Sequence, residues 1–285
     1  MTPKKILLAT DLSCRCDRAL DRAVALASEW QAQLVVLHVL QEPAPVTTLP
    51  SWRRPPNPRQ VAWQRVRDDL HGEQGIDIEV LVEQGEPATC ILDVIERLGC
   101  ELVVTGVARD ETLGRLLLGT TVEQLTRAAQ VPVLVVKSRP RGSYWTVVVA
   151  TDFSEGSRSA LETALTLLPT AQVSLFHAFD ILYEGFIGDK MAAREAAWHR
   201  AMAESQAFLA ATPAVATAGR PIAPLFEYGE VGALLQDLVQ VRGVDLVVLG
   251  TEGRSGLARV MLGSTAHRLL SRLPVDVLVV RRRRT

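Results

Sequence analysis

Apolar positions follow two alternating rhythms along this chain. Runs of consecutive apolar residues predict buried strands at 4–10, 34–40, 76–82, 101–106 and 132–137. Between them, apolar residues at helical spacing predict helices. The first is marked by Leu20, Val24, Ala27 and Trp30, and later ones fall near 59–72, 86–98 and 119–129. Strands that are apolar on successive positions, separated by helices, belong to a parallel sheet covered on both faces. Pro43 to Pro58 interrupts the alternation. Its prolines remove amide donors and predict an extended loop.

The whole pattern then runs a second time. Lys4 to Ser13 reads KKILLATDLS, and Tyr144 to Ser154 reads YWTVVVATDFS. ELVVTG at 101–106 returns as DLVVLG at 245–250, and VPVLVV at 131–136 returns as LPVDVLVV at 273–280. Three landmarks recur in one order at an offset of about 140 residues. This is a duplicated domain, not a solenoid of short repeats. The second copy has a longer helical segment around Asp189 to Ala211, whose Met191, Ala197, Met202 and Phe208 read as a core or interdomain face. The expected boundaries are 1–138 and 144–285, joined through the polar linker KSRPRGS, Lys137 to Ser143.

Composition narrows the class without changing that picture. At 285 residues, 48% hydrophobic and 22% charged, the chain reads as a soluble globular protein long enough for two cores. No apolar run approaches the ~18–20 residues of a membrane span. The run Ile6 to Ala9 meets Asp11 too soon for the core of a signal peptide, so the cytoplasm is the expected location. A net charge of -1 supplies no field for nucleic acid or an anionic membrane, and neither is expected as a partner. Arg281 to Arg284 read as a solvated tail. Cys14, Cys16, Cys90 and Cys100 make no disulfide framework. Cys14-x-Cys16 lacks a partner pair at zinc-like spacing, so the thiols are expected to be idle and no metal site is expected.

Candidate chemistry lies beyond the carboxyl ends of the strands, where doubly wound sheets bind ligands. In the second copy Asp152 follows the first strand, and Gly250 to Thr265 follows the fourth. Gly250 and Gly253 let a backbone approach a ligand closely and permit positive φ. Gly263-Ser264-Thr265 opens a helix, whose unpaired amides and dipole favour an anion, with two hydroxyls beside them. Asp152 is suited to accept from ribose hydroxyls. Each feature has a plainer reading: Ser264 as an N-cap, the glycines as a tight turn, Asp152-x-Ser154 as a helix entry. Their joint occurrence at strand ends favours a phosphate site. The chain has no P-loop and no Gly-x-Gly-x-x-Gly fingerprint. His38 and His177, at the ends of equivalent second strands, read as packed or solvent-facing. Trp52 and Trp63 read as covers for apolar surface.

These residues resemble the universal stress proteins. ATP-binding members of that family carry Gly-x2-Gly-x9-Gly-(Ser/Thr) after the fourth strand and an Asp at the end of the first. Gly250, Gly253, Gly263 and Ser264 match that spacing without a gap, and Asp152 takes the acidic position. The resemblance covers nearly the whole chain as two consecutive Rossmann-like, adenine nucleotide alpha hydrolase-like domains. It implies in each a five-stranded parallel sheet in order 3-2-1-4-5, with helices on both faces. It also implies ATP, with or without Mg2+. Adenosine would lie near Asp152 and Ala178, just after the second strand, and phosphates on Gly250 to Thr265 with Arg254 close by. In the first copy Asp11, Val39, Gly106, Gly119, Thr120 and Thr121 fit the same frame, but Arg109 stands at the second glycine. Its side chain would either block backbone approach or reach a phosphate as a charged donor. A weak or empty first site is expected.

Single-domain members pair through their last strands. The resemblance therefore implies an intramolecular pseudo-dimer joining Val133–Val136 with Val277–Val280, and leaves a homodimer of whole chains open. Three functions compete. The leading one is an adenine-nucleotide-binding regulator in stress response, with an unidentified protein partner and binding rather than turnover. The second is a slow ATPase or adenylyl-transfer enzyme. Against it, the loop after each first strand is Thr-Asp-x-Ser and not a glycine-rich pyrophosphate loop, and no catalytic base or nucleophile is evident. The third is an interaction module that has lost nucleotide binding.

Overall fold

The computed structural model describes residues 2–14, 16–41, 57–70, 75–107, 111–112, 115–116, 119–180, 189–251 and 263–282. The chain forms two compact units, one of Thr2–Thr112 with Leu117–Ser143 and the other of Tyr144–Thr285. The first runs β1 (Lys5–Thr10), α1 (Asp17–Trp30), β2 (Gln33–Leu40), α2 (Pro58–Asp69) and β3 (Ile78–Gln84). It continues with α3 (Pro87–Leu98), β4 (Leu102–Thr105), α4 (Thr120–Ala128) and β5 (Val133–Val135). These strands are parallel in the order β3-β2-β1-β4-β5, with Ile6 opposite both Leu34 and Leu102.

The second unit repeats the design. It runs β6 (Thr146–Ala150), α5 (Glu155–Leu167), β7 (Gln172–Phe179), α6 (Lys190–Ala210) and a short α7 (Pro213–Ala218). Then come β8 (Ala223–Tyr228), α8 (Val231–Arg242), β9 (Leu246–Gly250), α9 (Ser264–Arg272) and β10 (Asp276–Val280). Its parallel order is β8-β7-β6-β9-β10, with Val148 opposite Ser174 and Val247. In each unit, the sheet order is the 3-2-1-4-5 that the resemblance implies.

Burial explains the order. The central strands are covered on both faces, so Ile6, Leu7, Leu8, Val147 and Val149 are wholly buried. The outer strands β3 and β8 are half-exposed along their length. Pro224 is tolerated in β8 because an edge strand has amides that need no ladder partner. Matching devices frame the helices that follow. Glu86 caps α3 by accepting from Thr89 N at 2.7 Å, and Glu230 caps α8 by accepting from Gly232 N and Ala233 N at 2.9 and 2.8 Å. Gly99 and Gly243 end those helices in the left-handed region, at φ 66° and 58°.

Several details depart from the sequence pattern. The linker is strapped to α1: Arg18 Nη1 donates to Lys137 O at 2.8 Å, Arg22 Nη1 to Gly142 O at 2.7 Å, and Ser143 Oγ to Glu29 at 2.8 Å. Arg22 is thereby buried on a helix face that apolar spacing alone would not include. In α6 only the C-terminal half packs inward, through Ala201, Ser205 and Phe208. Met191, expected on that face, is 75% exposed. Trp63 is also partly exposed, with the Arg67 guanidinium 5.2 Å from its ring centroid. Trp52, most of Pro43–Pro58, Arg283 and Arg284 lie outside the described residues. Among the described residues, no helix is long and apolar enough to cross a membrane.

Candidate functional site

The site is built on a turn that both units share. After β6, Phe153 N donates to Thr151 Oγ1 at 2.9 Å, and Ser154 N donates to Asp152 Oδ1 at 3.1 Å. After β1, Leu12 N donates to Thr10 Oγ1 at 3.1 Å, and Ser13 N to Asp11 Oδ1 at 2.9 Å. The threonine and aspartate side chains thus hold the backbone from both sides. Between them Leu12 and Phe153 adopt φ 57° and 62°, a left-handed conformation that side-chain-bearing residues rarely take. Such a residue costs about 1–3 kcal/mol and persists only where its surroundings over-determine it.

The aspartates are held by different donors. Ser157 Oγ donates to Asp152 Oδ1 at 2.7 Å and accepts from Asp152 N at 3.2 Å. At the matching position of the first unit, Cys16 Sγ donates to Asp11 Oδ1 at 3.1 Å, and Ser13 Oγ adds a bond at 2.6 Å. Burial pushes the Cys16 thiol up to about 11, so it stays protonated and acts as a donor rather than a nucleophile.

The two strand-end histidines have a structural role. His38 Nδ1 lies 2.9 Å from Thr10 O, and His177 Nδ1 lies 2.8 Å from Thr151 O. A carbonyl only accepts, so the proton sits on Nδ1 and each ring ties the second strand to the end of the first. Phe153 packs on His177 and on Phe208 of α6, with centroids 4.5 and 5.7 Å apart.

After the fourth strand, Gly250 is required for a reason other than ligand approach or positive φ. A Cβ there would sit 2.6 Å from the Gly156 carbonyl carbon and 3.0 Å from Ser157 N, so β9 runs directly against the first turn of α5. Among the described residues Gly263 meets no such obstruction: its imagined Cβ lies 3.6 Å from Thr251 O, an ordinary contact. Gly263 N donates to that same oxygen at 3.2 Å, which fixes the start of α9 beside the end of β9.

Gly263 is the N-cap of α9, and Ser264 is its first helical residue, so the plainer reading of Ser264 as a cap does not hold. Gly119 caps α4 in the same way. Among the described residues, a side chain caps α2, α3, α5, α6 and α8, whereas none caps α1, α4, α7 or α9. Of these, α4 and α9 follow the fourth strands, and among the described residues their first amides have no side-chain acceptor at the end where the dipole favours an anion. Ser264 and Thr265 are exposed there.

Because β6, β7 and β9 are parallel neighbours, Asp152, Ala178, Gly250 and Gly263 gather at one sheet edge. Ala178, expected just after the second strand, lies inside β7 opposite Glu227, and Val39 lies inside β2 opposite Glu83. Asp11, Gly106, Gly119, Thr120 and Thr121 sit at the corresponding edge of the first unit. Gly253, Arg254 and Arg109 lie outside the described residues. Thr251 was not singled out by sequence. It is 6% exposed, and its hydroxyl has no hydrogen-bond partner among the described residues. The available signal was a threonine directly after the strand-end glycine, where the first copy has Val107. No group of three metal-ligating side chains occurs among the described residues. The edge therefore combines a braced carboxylate acceptor with a helix start that supplies donors.

A family model described as the universal stress protein family matches residues 2–137 and again 143–281. The chain belongs to the universal stress protein family. A universal stress protein of Mycolicibacterium smegmatis is 26% identical over 306 aligned positions, covering 98% of this chain and 97% of its own. Universal stress protein YxiE of Bacillus subtilis is 31% identical over 146 positions, 47% of this chain and 98% of its own, as a one-domain relative would be. Among solved structures, a functionally unknown protein from Pseudomonas aeruginosa PAO1 superposes with TM-score 0.73 at 21% identity, covering 99% of this chain and 93% of its own. A universal stress protein from Archaeoglobus fulgidus superposes with TM-score 0.63 at 20% identity, covering 98% of each. These likenesses concern the tandem fold of this family member.

Proposed function

We propose that the second domain of this universal stress protein binds an adenine nucleotide, ATP with or without Mg2+. The protein then acts as a cytoplasmic regulator in stress response, through binding rather than turnover. The observation that carries the reading is the pairing of two features at one sheet edge. One is α9, started by Gly263 with no side-chain cap among the described residues; the other is Asp152, braced by Ser157. Phosphate oxygens suit the first and ribose hydroxyls the second. The glycine spacing through Gly253 to Gly263 and Ser264 supports the same assignment, with Arg254 and Thr265 as further phosphate contacts and Ala178 beside the base.

The first domain retains Asp11 and the Gly119 helix start but carries Arg109 in place of the second glycine, so it is the weaker site or an empty one. Calorimetric titration of the whole protein with ATP tests the proposal. Asp152→Ala is expected to weaken binding at least about tenfold, the worth of a charge-assisted hydrogen bond. Asp11→Ala is expected to leave the main transition in place. No heat of binding at millimolar ATP contradicts the reading. Steady hydrolysis abolished by Gly253→Arg would replace binding with catalysis.

A further inference from the structure

The outermost strands β3 and β8 hold matching places in the two domains but differ at a residue that decides what can join them. His38 lies opposite Val82 of β3 and His177 opposite Phe226 of β8, so Val80 matches Pro224. Bonds at either end of β3 fix which of its backbone groups face outward. Leu34 N donates to Asp77 O at 2.8 Å, and Gly85 N donates to Leu40 O at 3.1 Å. A parallel ladder is evenly spaced, so the odd-numbered residues from 77 to 85 serve β2. Ile78, Val80, Val82 and Gln84 therefore turn their backbone groups away from the sheet, and among the described residues no further strand takes them. In β8, Gly229 N donating to Phe179 O sets the same alternation and puts Pro224 at an outward position. Proline there removes a donor and guards the edge against an added strand. β3 carries no proline and presents the Val80 amide at the matching place.

The two faces beside this edge differ in character. Even-numbered side chains of β3 point toward α2, where Val82 lines a cavity of ≈ 530 Å³ with Arg59, Gln60, Trp63 and Gln64. Odd-numbered side chains point toward α3, where Glu83 accepts from Arg97 Nη2 at 2.8 Å. Glu83, then Asp93 and Glu79, hold that guanidinium above its usual range. Three carboxylates thus share one cation. A strand added at β3 meets an aromatic recess on one face and surplus negative charge on the other.

We propose that the β3 edge takes up an extended basic segment of a partner protein, which lengthens the sheet by one strand. The segment's backbone pairs with Val80, Val82 and Gln84, as in other complexes that add a strand to an open edge. Its Lys or Arg side chains fall beside Glu79 and Glu83, and an alternate aromatic side chain enters the recess against Trp63. Charge complementarity selects this occupant over a second copy of the chain. Two copies paired antiparallel about Leu81 would set Glu79 of one against Glu83 of the other, and like charges directly opposite are destabilising. The edge shares no residue with the proposed nucleotide site, so this inference stands apart from that one.

The test is a titration of the full-length ¹⁵N-labelled protein with the peptide Lys-Phe-Lys-Phe-Lys-Phe-Lys, followed through backbone amide signals. Val80, Val82 and Gln84 are expected to shift saturably, while Phe226 and Tyr228, the matching outward amides of β8, stay put. The same peptide with Glu in place of Lys is expected not to bind. Glu79→Lys is expected to weaken the Lys peptide about fivefold. Val80→Pro installs the second domain's residue and is expected to abolish binding with the fold intact, as β8 accommodates Pro224. N-methylation of one alternate set of peptide amides is expected to abolish binding and of the other set to spare it, because only one set faces β3. Four results would overturn the proposal: no saturable shift up to millimolar peptide, equal binding of the Lys and Glu peptides, equal effects of the two N-methylated sets, or undiminished binding to Glu79→Lys or to folded Val80→Pro.

Discussion

The ends of β1 and β6 carry the same Thr-Asp-x-Ser turn, yet they differ in what braces the aspartate. In the second domain Ser157 closes a ring with Asp152, donating at 2.7 Å and accepting from its amide at 3.2 Å. In the first, the Cys16 thiol stands in that place at 3.1 Å, a weaker donor to Asp11. Residue x differs too. Phe153 packs on His177 and Phe208, whereas Leu12 has no ring to offer. The backbone of the turn survives both changes, including its left-handed residue. Threonine and aspartate side chains fix the turn, while its neighbours are free to diverge. Retention of the turn in the first domain is therefore no evidence that its ligand site is retained.

The largest expected effect separates glycines that the fold needs from glycines that leave a helix start open. Gly250→Ala drives a Cβ into the Gly156 backbone and is expected to cost about 3 kcal/mol. Among the described residues Gly263→Ala meets only ordinary contact, and it is expected to cost under about 1 kcal/mol, at the level of a changed N-cap. Urea denaturation of the two variants measures the gap, and equal losses would break the distinction.

An intermediate effect tests a device the two domains share. Amides of the first helical turn hold the Glu86 and Glu230 carboxyls below their usual range, Thr89 N in one case and Gly232 N then Ala233 N in the other. A carboxyl whose pKa is lowered by folding contributes stability above its unfolded pKa and loses it as pH falls through the folded value. Glu86→Ala and Glu230→Ala are each expected to cost about 1 kcal/mol at neutral pH. The deficit should close as the medium is acidified below the carboxylate range. A deficit unchanged in acid would mean that the caps act through packing instead.

The smallest effect concerns the divergent brace itself. Cys16→Ser gives the first domain the second domain's donor and is expected to change stability by no more than about 0.5 kcal/mol. Thiol labelling sharpens the point. Cys14 is exposed, while Cys16 is buried with its thiol at about 11, so Cys14 should react with a maleimide well before Cys16.

Much of this was legible in the sequence, for a definite reason. Central strands buried on both faces must be apolar at successive positions, so β1, β4, β6 and β9 announced themselves, and their recurrence exposed the tandem plan. Residues set by contacts distant in sequence were not legible. Gly250 looked like a ligand glycine, but its partner is the backbone of Gly156. Arg22 is polar by type and buried by function, since its guanidinium secures the linker through Gly142 O. Phe153 has no glycine-like signal, yet it holds a left-handed conformation that two side chains impose. Met191 matched a helical stripe whose N-terminal part lies in solvent. Thr251 and Ser205 drew no notice because only burial reveals that their hydroxyls are unmatched.

The most direct test of the central claim is native mass spectrometry of gently purified protein, wild type beside Gly253→Arg. The account predicts a single adenine nucleotide per chain in the wild type and none in the variant, which gives the second domain the residue Arg109 that the first already carries. Wild type without nucleotide, or a variant that retains it in full, would contradict the assignment of the site to the second domain.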